Sequence, residues 1–252
     1  MNRFSEDIDL TVKINDNESN NSNKTRLKKS ALGYNVKGLE LIDNETIDKK
    51  GSITSFYKYE SLFSLNELFK SEKIQIESTS FTISEPTSIY TIEPLIYKYA
   101  TKEEKNILKN KYDISEFQIE IIKLERIFVD KIFAVEFYYE RNMYEDTSKH
   151  LYDITIMLKS EIIKTLLKNK LELKKLIEYK RKEEKVRIGG IEETKKIQNF
   201  SYMKLHFNNE LIDAFNKMQK IYVLDEESKL TINDIKEALT ILLETFKNFN
   251  IE

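Results

Sequence analysis

Apolar and polar positions alternate singly through the first part of the chain and give way, near residue 100, to spacings of three and four, so the pattern predicts strands first and helices after. Phe4 to Ile14 alternates as a strand, and Lys37 to Ile42, Thr54 to Tyr59 and Lys73 to Thr79 are further strand candidates. Between them, the polar stretch Asp16 to Asn23 reads as a loop leading into a short basic segment, Lys24 to Lys29. Thr82 to Pro94 is rich in Ser and Thr and holds both prolines, Pro86 and Pro94, so it reads as the connector between a strand-rich region, 1–100, and a mainly helical one, 101–252.

Beyond that connector, Glu103 to Lys111 reads as a helix and Phe117 to Leu124 as a strand. Glu125 to Asn142 is an amphipathic helix, and Lys149 to Ser160 continues helically. The Lys/Glu/Leu-rich run to Lys185 is helical in character and stops at the Gly189-Gly190 pair, a turn signal. Asn209 to Val223 and Ile232 to Asn248 are the last two helices, the second opened by Thr231 with Asp234 three residues on, a weak capping box. The fold class that results is α+β, with a mixed sheet followed by a helical C-terminal region.

Composition narrows the chemistry. A chain of 252 residues can bury a sizeable core, and its formal net charge of -2 gives no global basic field for nucleic acid. Any RNA contact must be a local patch. With no cysteine there is no thiolate nucleophile or disulfide, and the two histidines, His150 and His206, are too far apart in sequence for a zinc motif. Apolar stretches such as Ile127 to Val135 are broken by Asp130 and Lys131, far short of the roughly 20 residues of a membrane span, and no leader precedes residue 10, so a soluble cytoplasmic protein is expected.

Four places carry candidate chemistry. In Arg3-Phe4-Ser5-Glu6-Asp7-Ile8-Asp9-Leu10 a strand's period of two sends Ser5, Asp7 and Asp9 to one face. Two carboxylates so placed repel unless a cation lies between them, and oxygen ligands at that spacing suit Mg²⁺ in phosphoryl or nucleotidyl transfer. A solvated strand edge carries the same Asp-x-Asp pattern. On the helix from Glu125, Lys131 projects from an apolar face made by Ile127, Phe128, Ala134 and Val135, where it either snorkels to water or meets a phosphate. Asp130 has Arg126 four residues earlier and reads as a plain surface pair outside the site.

Asp153, in Lys149-His150-Leu151-Tyr152-Asp153, is read as lying near the start of a helix, where it either orients Lys131 or simply complements the macrodipole; His150 is read as structural or partly exposed. Glu77 shares a strand face with Lys73 and Gln75 and is the candidate third metal-linked carboxylate. Asp225-Glu226-Glu227 reads as a solvated linker, and the basic run Lys168 to Lys185, interrupted by glutamates, as a weak RNA-surface candidate.

Taken in order, these segments resemble the AbiEii/AbiGii nucleotidyltransferase toxins of bacterial abortive-infection and toxin-antitoxin systems. Residues 3–10 are similar to that family's acidic motif, Glu125 to Ile132 to its lysine motif, and Lys149 to Asp153 to its final aspartate motif. The resemblance implies a polymerase-beta-like nucleotidyltransferase fold, with Asp7 and Asp9 as metal ligands, Lys131 on the nucleotide phosphates and Asp153 completing the site. It implies transfer from a nucleoside triphosphate to an acceptor such as a tRNA end, with a cognate antitoxin as partner. Ser5 is a candidate phosphate contact. The family's Gly-rich segment with its Ser lies upstream of the acidic motif, whereas only Met1 and Asn2 precede Arg3 here and the glycines all lie downstream. From this comes the expectation of an N-terminally truncated member lacking part of the nucleotide site, prone to self-association, and the alternative of an inactive protein-binding module.

Overall fold

The computed structural model describes residues 3, 5, 7–13, 17, 19–61, 72–80, 82–187, 189–204, 207–223 and 225–247. Expectations for Phe4, Glu6, Ile14, Asp16, His206 and Asn248 lie outside these residues.

A mixed sheet comes first, built from β1 (Asp7–Thr11), β2 (Glu40–Leu41), β3 (Ile47–Lys49), β4 (Ser52–Lys58) and β5 (Lys73–Thr79), in the order β1-β5-β4-β2 with β3 also on β4. β1 runs parallel to β5, whereas β4 is antiparallel to β5, β2 and β3. The candidate strand at Lys37 to Ile42 thus shortens to Glu40–Leu41, while Lys73–Thr79 forms over the span its alternation predicts. One face of the sheet is covered by α1 (Asn20–Leu32), whose Leu27 and Ala31 pack with Val12 and Ile53. Period two on β4 turns Ile53, Ser55 and Tyr57 toward that helix, and both the Ser55 hydroxyl and the Tyr57 hydroxyl donate to the Ala31 carbonyl, at 2.8 and 2.9 Å.

α1 corrects the reading of Asp16 to Asn23 as a loop followed by a basic segment. Ser19 caps the helix by accepting from the Ser22 N–H. Only Leu27 and Ala31 are buried on it, an apolar stripe too thin to give a helical period in the sequence.

A two-stranded arm follows. β6 (Thr87–Ile92) pairs antiparallel with β7 (Phe117–Ile122), and α2 (Leu95–Lys98) and α3 (Lys102–Tyr112) lie between them in the chain. The proposed connector Thr82 to Pro94 is therefore half strand: Ser and Thr are good residues for an exposed strand, and Pro86 and Pro94 sit just outside the paired segment. No residue of these four elements is buried, and Ile89, Ile96 and Tyr99 are among its exposed apolar side chains.

The largest apolar cluster lies in the helical region, α4 (Leu124–Tyr139), α5 (Tyr144–Leu158), α6 (Glu161–Lys168), α7 (Lys170–Val186), α8 (Asn209–Tyr222) and α9 (Ile232–Lys247). α4 and α5 supply Phe128, Ile132, Phe133, Leu151 and Ile154 to it, and the Tyr152 hydroxyl, fully buried, donates to the Ser228 carbonyl at 2.9 Å. α9 opens with the capping box expected at Thr231 and Asp234. Asp225 caps a short turn over Glu226 and Glu227, which are exposed as a solvated linker should be. Among the described residues no helix is long and apolar enough to cross a membrane. The fold is α+β, a mixed sheet followed by a helical C-terminal region.

Arg126 overturns the reading of a surface pair. Its side chain is wholly buried, and it bonds Asp130 one turn on and Glu183 of α7 at 2.5 Å. Lys180 joins Asp130 and Glu184, and Glu183 also accepts the Ile83 N–H at 2.5 Å. The i,i+4 spacing was read correctly, but it cannot say whether a third element will cover the pair.

Candidate functional site

The parallel pairing of β1 and β5 sets Asp9 beside Glu77 and Asp7 beside Gln75, so the three carboxylates lie on adjacent strands about 4.8 Å apart. They face away from the side on which Ile76 is buried. Ser5 donates to Asp7 at 2.5 Å, and Gln75 to Glu77 at 2.6 Å. Burial first, then the charges of Asp7 and Glu77, push Asp9 up to about 6, with Lys131 pulling the other way. This is a cluster short of positive charge.

Opposite it stand α4 and α5. Lys131, on the apolar face of α4, reaches the Asp153 carboxylate at 3.3 Å and donates to His150 Nδ1 at 3.2 Å. Asp153 is fully buried and takes a bidentate grip from Arg3, at 2.7 Å from Nε and 2.8 Å from Nη2. Burial works against the Arg3 charge, but the hydrogen bonds and charge of Asp153, with Asp7 behind it, raise its pKa further. Asp153 lies in the middle of α5, not near a helix start, so the macrodipole does not account for it. With both oxygens committed to cations, it holds Arg3 and Lys131 toward the strand carboxylates.

His150 stacks on Tyr138 with ring centroids 5.3 Å apart. Burial, followed by Lys131, Arg3, Lys149 and Arg187, pushes its pKa well below the ordinary value, so the imidazole is neutral and accepts from the Lys131 ammonium. Arg187, which follows α7, lies over the Phe137 ring at 3.7 Å, and Phe137 meets Tyr138 edge to face with ring centroids 5.2 Å apart.

The structure therefore gathers Ser5, Asp7, Asp9 and Glu77 on one side and Lys131 and Asp153 on the other. Arg3, Tyr138 and Arg187 are added by it. Arg3 was legible only as part of a quoted motif, and Tyr138, seven residues after Lys131 on the same helix face, could have been found from the helical period. Nothing local marks Arg187.

The donor set bears on a metal. Among the described residues no group of three or more His, Asp or Glu is arranged to hold an ion unaided. A magnesium ion asks for less, since it binds through one or two carboxylates and completes its shell with water and substrate phosphate oxygens. Asp7 and Asp9, with Glu77 beside them, meet that requirement, and the upward shift of Asp9 marks the place where a cation would be favoured.

The family model described as "Nucleotidyl transferase AbiEii toxin, Type IV TA system" matches residues 1–241. No curated protein and no solved structure matches the chain.

Proposed function

Since the chain belongs to the AbiEii nucleotidyl transferase toxin family of type IV toxin-antitoxin systems, we propose that it is a Mg²⁺-dependent nucleotidyltransferase, moving a nucleotide from a nucleoside triphosphate to a hydroxyl acceptor such as a tRNA end. The observation that carries this reading is the opposition of an electron-rich carboxylate cluster, Asp7, Asp9 and Glu77, to two cations held by one buried aspartate.

In this reading Asp7 and Asp9 would hold the ion, with Glu77 beside them on the neighbouring strand. When bound, Mg²⁺ neutralises charge on the phosphates and lowers the pKa of a coordinated hydroxyl. Lys131 and Arg3 take the phosphate oxygens, Lys131 as a point charge and Arg3 through its planar fork. Asp153 keeps both cations oriented without touching the substrate, so it is a positioning residue. Neutral His150 accepts one hydrogen bond from the Lys131 ammonium and so directs its remaining N–H groups. Ser5 orients Asp7. The acceptor oxygen forms a bond to the α-phosphorus, the bond from that phosphorus to the pyrophosphate oxygen breaks, and the hydroxyl proton is released to solvent. Charge develops on the phosphate oxygens and the leaving pyrophosphate, where fixed cations stabilise the transition state more than the ground state.

Transfer of label from each nucleoside triphosphate to bulk tRNA with Mg²⁺ tests the proposal. Transfer that falls on the order of 10²-fold or more in Asp7→Asn is the expected result; none from folded protein with any of the four nucleotides would overturn it. The antitoxin partner implied by a type IV system is a further part of the reading, tested by rescue of growth when a neighbouring gene is co-expressed.

A further inference from the structure

Contacts run without a break from Arg3 through Asp153, Lys131 and His150 to Tyr138, and from there by way of the Phe137 ring to Arg187. On α4, Lys131 and Tyr138 are separated by two turns, about 10.5 Å. The charges of Asp7, Asp9 and Glu77 act on Arg3, Lys131 and Tyr138 in turn, so this series runs beside the strand carboxylates with Arg3 and Arg187 as its end members. An in-line displacement needs the leaving and the attacking oxygen on opposite sides of the phosphorus. If Arg3 and Lys131 hold the triphosphate, the attacking group must arrive from the far end.

That far end is built to hold a planar cation. Two guanidinium groups lie over the Phe137 ring, each 3.7 Å from its centroid. Arg141 is committed to carbonyls, donating to Phe137 at 2.7 Å and to Gly189 at 2.8 Å. It pins the turn that follows α7, in which Gly189 has φ +69, a left-handed conformation that disfavours any side chain. Gly190 donates to the Arg187 carbonyl at 3.1 Å, so the same turn fixes Arg187 from its backbone. The Arg187 side chain remains 28% exposed, with Glu184 at 3.5 Å. Its guanidinium is thus backed by Phe137 and still reached by solvent. A guanidinium plane beside a tyrosine is a surface on which the bases of single-stranded nucleic acid stack, while the charge attracts the adjoining phosphate.

We propose that Arg187, backed by Phe137 and flanked by Tyr138, forms the subsite that receives the single-stranded end of an RNA acceptor. This rests on the nucleotidyltransferase reading above and deepens it: one end of the series takes the nucleotide and the other the acceptor.

The test separates the two. Binding of a short, fluorescently labelled single-stranded oligoribonucleotide is followed by anisotropy, and nucleoside triphosphate binding is measured separately by calorimetry with Mg²⁺, in wild type, Arg187→Ala and Arg187→Lys. Thermal melting checks that each variant is folded. The expected result is oligoribonucleotide affinity lowered on the order of tenfold in Arg187→Ala, with Arg187→Lys recovering only part because it restores charge but not the plane, and triphosphate affinity unchanged. Equal oligoribonucleotide binding by all three proteins, no binding by wild type, or a loss of triphosphate affinity instead would overturn the proposal. Failure of the function itself reads differently: Arg187-dependent RNA binding would persist while no nucleotide bound or was transferred.

Discussion

Replacing Asp153 by Asn should cost stability through Arg3 more than through Lys131. The carboxylate is fully buried and the Arg3 side chain 9% exposed, whereas Lys131 keeps 19% of its side chain in water. Removing one partner of a buried pair costs about 3–5 kcal/mol, because the other charge stays desolvated and unmatched. Asn keeps one acceptor oxygen but aims an NH₂ at the guanidinium where the second oxygen was, so we expect the lower end, about 3 kcal/mol. For a chain of this size that corresponds to a fall in Tm of roughly 6–12 °C. Urea unfolding followed by far-UV circular dichroism is the assay, as the chain has 14 tyrosines and no tryptophan. The same substitution is then made in Arg3→Met, where no guanidinium is left unmatched. The second cost should be smaller by at least about 1 kcal/mol, a coupling of the size seen between contacting residues. Two losses that simply add, or an Asp153→Asn protein within about 0.5 kcal/mol of wild type, would show that the clamp does not hold Arg3 as described.

Three further outcomes are expected. Glu183→Gln leaves the buried Arg126 with Asp130 as its one bonded carboxylate and weakens the tie of α7 to α4, costing about 3 kcal/mol in urea unfolding; a surface-like change below about 0.5 kcal/mol would restore the reading of an ordinary surface pair. Ser55→Ala and Tyr57→Phe each remove one of two hydroxyls on the Ala31 carbonyl, so each alone should cost about 0.5–1 kcal/mol and the pair more than their sum, which a double-mutant cycle checks. The Thr231 side chain, then its backbone N–H, holds Asp234 below the ordinary carboxylate range. A depressed folded-state pKa gives stability that is present above the unfolded value, about 3.9, and lost as pH falls through the folded one. The stability gap between wild type and Asp234→Asn should therefore be constant near neutrality and close in acid; a gap that widens in acid would contradict this.

Much of the helical half could be read from periodicity because its helices bury continuous apolar faces, as Phe128, Ile132 and Val135 do on α4. α1 escaped because two buried residues suffice to dock it, and β6 because Ser, Thr and flanking Pro look like a connector when the strand buries nothing. In the site, alternation placed Asp7 and Asp9 on one face, and the juxtaposition of Lys131 and Asp153 followed from two helices whose faces were recognisable. Three things were out of reach for local reasoning. The pairing of Asp9 with Glu77 depends on strand register across 68 residues, the Arg3 grip on Asp153 spans 150, and Arg187 arrives from a third helix. Asp153 itself was placed near a helix start because the helical pattern was read from Lys149, whereas α5 begins at Tyr144 and already contains Thr147 and Ser148, both buried and donating to carbonyls four residues back.

The central claim, nucleotidyl rather than phosphoryl transfer, is tested most directly by the position of the label. Folded protein is incubated with Mg²⁺ and bulk tRNA, with each nucleoside triphosphate labelled once at the α- and once at the γ-phosphate. The account predicts that α-label joins the RNA, that γ-label leaves as pyrophosphate, and that both events disappear together in Asp7→Asn. Label from the γ-position on the RNA, or α-label transfer that persists in Asp7→Asn, would contradict it.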